Sequence, residues 1–176
     1  MKFLKYLLGI IAVLVIIFFL LGMIKSEISY TNEIEVNKPL SEAWAVSQDE
    51  SKMKDWLEGL QKVEHVSGIP GTVGSVSDIY FINEGQEMVI RETITEIVPN
   101  ESVSMTFTSE FMDMDYKLSM SSKGNKTKIN SITTCKGNGM LSKSLIAMMG
   151  GTMESQEQTN LESLKKTIEN NSVSYE

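Results

Sequence analysis

The chain has 176 residues, room for a single domain that can bury a core without disulfides or metals. Its formal net charge is −7, and because Lys2, Lys5 and Lys25 all precede residue 26, the remainder carries 13 basic against 23 acidic residues. Such a domain is repelled by phosphate backbones, which argues against nucleic acid as a partner. One cysteine (Cys135) and one histidine (His65) leave no disulfide framework and too few soft or imidazole ligands for zinc, and neither metal nor cofactor is expected.

Residues 6–24 contain no charged side chain. As a helix this run is about 28 Å long, close to the hydrocarbon thickness of a bilayer. It exceeds the apolar stretch of a cleaved signal peptide and ends in Leu-Leu-Gly-Met-Ile-Lys-Ser-Glu without a small-residue cleavage site. We expect residues 1–25 to form an uncleaved transmembrane signal anchor. Lys2, Lys5 and the α-amino group precede the helix, while Lys25 after it is soon balanced by Glu27. This charge bias places the N-terminus in the cytoplasm and the domain on the far side.

The domain is expected over 26–171, with 172–176 as a frayed tail. Ile28, Tyr30, Ile34 and Val36 share one parity, which predicts a first strand. Asn37-Lys38-Pro39 ends it, and Ser41 is the expected N-cap of a short helix through Val46. Asp49-Glu50-Ser51 opens a second helix carrying Met53, Trp56, Leu57 and Leu60. Six strands follow, near 61–67, 75–82, 86–97, 102–111, 113–122 and 126–135, separated by Gly, Pro and Asn turns such as Asn83-Glu-Gly85 and Lys123-Gly124-Asn125. Two of them alternate cleanly: Val103, Met105, Phe107 and Phe111 oppose serines, threonines and Glu110, and Met114, Tyr116, Leu118 and Met120 oppose aspartates, serines and Lys117. One face is apolar, as in an antiparallel sheet covered on a single side. The cover is expected from an amphipathic helix over 140–170 with Leu141, Leu145, Met148, Met149, Met153, Leu161, Leu164 and Ile168 on its apolar face. Gly150-Gly151 should kink or loosen that helix.

This order is α+β and resembles the helix-grip fold of the SRPBCC superfamily, with its START lipid-transfer, birch-pollen-allergen-like and polyketide cyclase-like branches. The resemblance rests on Ile34-Glu-Val36-Asn-Lys-Pro39-Leu-Ser-Glu-Ala-Trp44, on Asp49 followed by Trp56, and on Gly71-Thr-Val-Gly74 before a strand. It continues through Glu92-Thr-Ile94-Thr-Glu96-Ile-Val-Pro99, Gly124-Asn-Lys-Thr127-Lys-Ile129 and Leu161-Glu-Ser-Leu164-Lys165-Lys-Thr-Ile168-Glu169. It implies a curved antiparallel sheet wrapped around a long C-terminal helix, with a cavity between them for a lipid, polyketide or other apolar molecule. It implies no reaction, because a shared fold does not determine function.

The expected function is therefore a membrane-anchored binding module for a small hydrophobic ligand or lipid. Its expected wall is Trp56, Met88, Met105, Phe107, Met120, Met148 and Met153, since aromatic and flexible, polarizable methionine side chains suit an adaptable apolar surface. The alternatives are a cyclase- or dehydratase-like enzyme using Glu92 or Tyr116, and a structural or interaction domain with a solid core. Glu92 shares parity with Met88, Ile90 and Ile94, which would turn its carboxyl to the apolar face, where burial raises a carboxyl pKa; a strand-end bulge would equally turn it to solvent. His65 reads as a surface histidine and Cys135 as a small buried filler. Asp113 and Asp115 lack a loop that would complete a calcium shell.

Overall fold

The computed structural model describes residues 2–83 and 85–175. Met1 at the start of the expected anchor, Glu84 in the expected 83–85 turn and Glu176 in the tail lie outside the described residues. Helix α1 (Lys2–Ile24) is apolar on every side, long enough to cross a membrane, and almost wholly exposed. Two residues, Lys25 and Ser26, lead from it into strand β1 (Glu27–Val36). Helix α2 (Leu40–Gln48), a single 3-10 turn (Glu50–Lys52) and the four-residue α3 (Met53–Trp56) follow. The chain then runs through β2 (Leu60–Ser67), β3 (Val76–Asn83), β4 (Gln86–Val98), β5 (Ser102–Thr108), β6 (Met112–Lys123) and β7 (Lys126–Gly137) into α4 (Met140–Glu169).

The seven strands form one antiparallel sheet in the order β1-β7-β6-β5-β4-β3-β2. Consecutive strands from β2 to β7 are neighbours, joined by short turns. The first strand closes the far edge by pairing along its full length with the last. Helix α4 crosses the concave face over β1 and β7, and the main core forms where its second half meets the sheet. Leu161, Leu164 and Ile168 pack there with Ile34, Val36, Val103, Leu118, Met120 and Ile129, and with Ala43 and Val46 of α2. The opposite sheet face is wet: Glu35 accepts from Lys123 and Lys126, Glu33 pairs with Lys128, and Arg91 grips Asp78 with two bonds. Exposed pairs of this kind add little stability.

Local structure departs from expectation at four places. Helix α2 begins one residue earlier than its expected cap, with Pro39 at the N-cap and its carbonyl accepting from Ala43. The second helix is cut to one turn because Leu57 is already extended, which frees Leu60 to start β2. Strand β5 stops at Thr108, since Ser109 Oγ accepts from the amides of Phe111 and Met112 and folds the chain back; Phe111 therefore sits in a turn, 42% exposed, instead of on the apolar face. Finally, α4 runs unbroken through Gly150-Gly151. A Cβ at Gly150 would already stand 3.4 Å from Ile28 Cδ1, so this glycine lets the helix approach β1 closely while the surrounding contacts hold it straight. After α4 the chain has no regular structure, but Asn171 bonds Glu42 and Tyr175 donates to Asp49 Oδ2 at 2.8 Å.

Candidate functional site

The sheet register sets the concave face out in rows. Nearest the α1–β1 linker, one row runs Ser77, Glu92, Phe107, Met114, Cys135 and Ile28 across six strands. The next runs Ile94, Met105, Tyr116, Thr133 and Tyr30, and a third places Val103, Leu118, Ser131 and Asn32 side by side. Helix α4 lies over the β1–β7 end of these rows. At the β4–β5 end Glu92, Ile94, Met105 and Phe107 keep partial exposure, whereas Ile129, on β7, is wholly buried. The space between helix and sheet is thus closed on one side and open over β4 and β5.

Under α4 the rows carry a polar cluster. Tyr116 donates to Glu157 Oε1 at 2.9 Å, and its ring meets that of Phe107 edge-on at 6.2 Å. Burial raises the Glu157 pKa, and the Tyr116 hydroxyl opposes that shift only in part. Burial first, then the Glu157 charge, lifts the hydroxyl of Tyr116 well above its usual range; Tyr30 is raised by burial with help from Cys135 and Glu157. Asn32 donates to the Glu154 carbonyl and to Gln158 Oε1. Among the described residues, Asn32 Oδ1, Trp56 Nε1, Ser131 Oγ and Thr133 Oγ1 are buried with no hydrogen-bond partner. Ser131 lies close enough to Tyr116 and Glu157 to bias their titration, yet its hydroxyl is not placed to bond either. A native core satisfies nearly all such groups, so three orphans in the rows under α4, Asn32, Ser131 and Thr133, favour a polar ligand group or solvent there.

Glu92 stands apart. Burial, and next the charge of Glu50, pushes its carboxyl up to about 7. One whole strand, β5, separates it from Tyr116, which places the two about 10 Å or more apart by strand spacing. The two candidate acids are not in hydrogen-bond reach of one another. Their arrangement offers two polar points flanking apolar Phe107 and Met105.

The expected wall residues divide. Met105 and Phe107 lie on the open part of the concave face; Trp56 packs against the main core, and Met153 against a smaller cluster of Ile28, Cys135 and Ile146. Met120 is sealed in the main core. Met88 is 44% exposed on the β3–β4 hairpin, and Met148 is 62% exposed on the outer side of α4, so neither converges with the others. Cys135 is fully buried, and burial pushes its thiol up to about 11, far from a reactive thiolate. His65 is exposed beside the Gly68 carbonyl, and Asp113 accepts from Asn138. Two concavities of about 360 and 410 Å³ lie elsewhere, in surface lined largely by polar residues near the C-terminal end of α4.

Glu157, Tyr30, Asn32, Ser131 and Thr133 were not among the expected site residues. Four of them are visible as breaks in an apolar parity, Tyr30 being part of it: Glu157 falls four residues from both Met153 and Leu161, Asn32 sits between Tyr30 and Ile34 on β1, and Ser131 and Thr133 lie between Ile129 and Cys135. Replacing Tyr116 by Phe removes the donor from a buried carboxyl, which typically costs about 1–3 kcal/mol. Tyr116→Phe should therefore lower the urea midpoint and move the Glu157 carboxyl resonance to titrate at higher pH. Unchanged values of both would mean that the pair contributes nothing.

Residues 27–169 match the family described as polyketide cyclase / dehydrase and lipid transport. The chain belongs to that family. Among solved structures it is similar to the Zhui aromatase/cyclase from Streptomyces sp. R1128, with a TM-score of 0.69 at 12% identity over 81% of this chain and 94% of that one. Ara h 8.0201 gives 0.67 at 15% identity over 82% and 99%. Protein CV1439 from Chromobacterium violaceum gives 0.66 at 14% identity over 81% and 98%. At these identities the likeness establishes the fold alone. A search of curated protein sequences finds no match.

Proposed function

We propose that this protein is a single-pass membrane protein, N-terminus cytoplasmic, whose domain binds a small hydrophobic molecule or lipid carrying a polar group. The observation that carries this reading is the concave face itself. Apolar Ile94, Met105 and Phe107 remain partly exposed between a protonatable Glu92 and the buried Tyr116–Glu157 pair with its unpartnered hydroxyls. A solid structural core would have filled that space with aliphatic side chains. The apolar tail of a ligand fits over Phe107 and Met105, and a carbonyl or hydroxyl fits the Glu92 carboxyl, which retains its proton up to about pH 7, or the free Ser131 and Thr133 hydroxyls.

Native mass spectrometry of the full chain released from detergent, after incubation with a total lipid extract, tests the reading. A one-to-one adduct weakened by Phe107→Ala is the expected result. No adduct and no uptake of an apolar dye would leave the domain without a ligand and overturn it.

A further inference from the structure

Helix α4 changes character halfway along. From Glu154 onward its exposed positions, Glu154, Ser155, Gln156, Thr159, Glu162 and Lys166, are all polar, as expected for the outside of a helix packed on a sheet. From Met140 to Met153 the only charge is Lys143, and the exposed large side chains are Met140, Leu141, Met148 and Met149. The inward side of this half is already satisfied, with Ile146 buried against Ile28 and Cys135 and Gly150 packed on Ile28. The outward methionines and leucine are thus not spare core. They face away from the domain.

What lies beside them is α1. Gly22, in the last turn of α1, is buried against Ser144, and a Cβ there would stand 2.6 Å from the Ser144 backbone nitrogen. A crossing made by two small residues is how helices approach closely in lipid. Phe18 and Phe19, one turn earlier, are the other α1 residues with reduced exposure. Only Lys25 and Ser26 separate α1 from β1, so the first half of α4 is held at the depth of the last turns of α1. Phe111 joins the same corner, since its carbonyl accepts from the amide of Asn138 just before α4. The charges nearby, Lys25, Glu27, Glu110, Asp113 and Lys136, belong to strand ends and turns and not to the exposed face of this half-helix.

We infer that the first half of α4, with Phe111, is buried in the bilayer beside α1, with Met140, Leu141, Met148 and Met149 among the acyl chains. This rests on the anchor reading above. The domain is then seated on the membrane by two elements, and hydrophobic insertion does this without the headgroup attraction that an acidic domain lacks. The row of Ser77, Glu92 and Phe107, which also contains Ile28 at the start of β1, becomes the membrane-proximal end of the concave face. A lipid leaving the bilayer meets it first.

The test uses the full chain in phosphatidylcholine nanodiscs, with nitroxide labels on Leu14→Cys, Met148→Cys and Glu162→Cys. Cys135 is fully buried, and the parent protein serves as the labelling control. Relaxation by oxygen, which partitions into acyl chains, is compared with relaxation by a water-soluble nickel chelate. The labels at 14 and 148 are expected to favour oxygen several-fold more than the label at 162. Oxygen preference at 14 with nickel preference at 148 would leave the anchor standing and sink the inference. Shielding of 148 from both reagents would assign the patch to a protein neighbour and also overturn it. Nickel preference at 14 would remove the anchor and the inference together.

Discussion

At pH 8 Glu92→Gln is expected to be more stable than the parent protein, and at pH 4 the two should unfold alike. Glu92 lies on the concave face between Ser77 and Phe107, and burial followed by the Glu50 charge raises its pKa from 4.5 to about 7. In the unfolded chain the group loses its proton near the ordinary carboxyl pKa; in the folded chain it holds the proton to about 7. Between those two values the native state binds more protons than the unfolded state, so stability falls as pH rises and levels off above the folded pKa. At 1.36 kcal/mol per unit the full penalty is at most about 3 kcal/mol, and partial contact with solvent reduces it to about 1–3 kcal/mol. Gln has the same shape and no charge to bury. Urea unfolding at pH 4, 6 and 8 reads the difference directly, and a gain that did not depend on pH would refute a buried carboxyl at this position. Glu157 is raised in the same direction, but it titrates in both proteins and cancels in the comparison. A residue that destabilises its own fold at neutral pH is of the kind that function retains. Glu92→Gln should therefore gain stability while changing ligand affinity.

The second large effect separates the two halves of α4. Leu164 is wholly buried in the main core with Leu161, Ile168 and Ile129, and Leu164→Ala should cost about 2–5 kcal/mol through lost transfer energy and the cavity left behind. Met148 lies on the same helix at an equally apolar position in the sequence pattern, yet it is exposed. Met148→Ala should stay within about 0.5 kcal/mol of the parent when unfolding is followed in detergent. Equal losses in the two variants would mean that Met148 is covered in the folded chain, contrary to its exposure.

That pair also shows where sequence reading stops. Leu141, Met148, Leu161, Leu164 and Ile168 all satisfy the same three-to-four-residue spacing. Periodicity reports that a helix has an apolar face; it does not report what covers that face, because the cover comes from residues far away in the chain. Here the second half meets β1, β7 and α2, while the first half meets β1 and β7 through Ile146 and Gly150 and α1 through Ser144. Strands β5 and β6 were legible for the opposite reason. Two-residue alternation is local, and the inward positions of Met105, Phe107, Tyr116 and Leu118 follow from the pleat alone. The same parity turned Glu92 to the concave face only if no bulge intervened. The Gly150-Gly151 kink failed because propensity is a weak local term, and close packing on Ile28 outweighs it.

The partner of Tyr116 could not be read locally either. Glu157 stands 41 residues further on, and it appears in the sequence only as a polar residue at an apolar helix position. By itself the sequence determined an apolar N-terminal run of membrane-spanning length, a one-sided antiparallel sheet and a long covering helix. Each follows from short-range periodicity and from the cost of leaving apolar area in water. The tertiary structure alone decided that α4 covers one end of the sheet and leaves β4 and β5 open. It also brought Tyr116 to Glu157 and turned four apolar side chains outward beside α1. Those outcomes depend on which distant surfaces meet, and only the closed chain sets them.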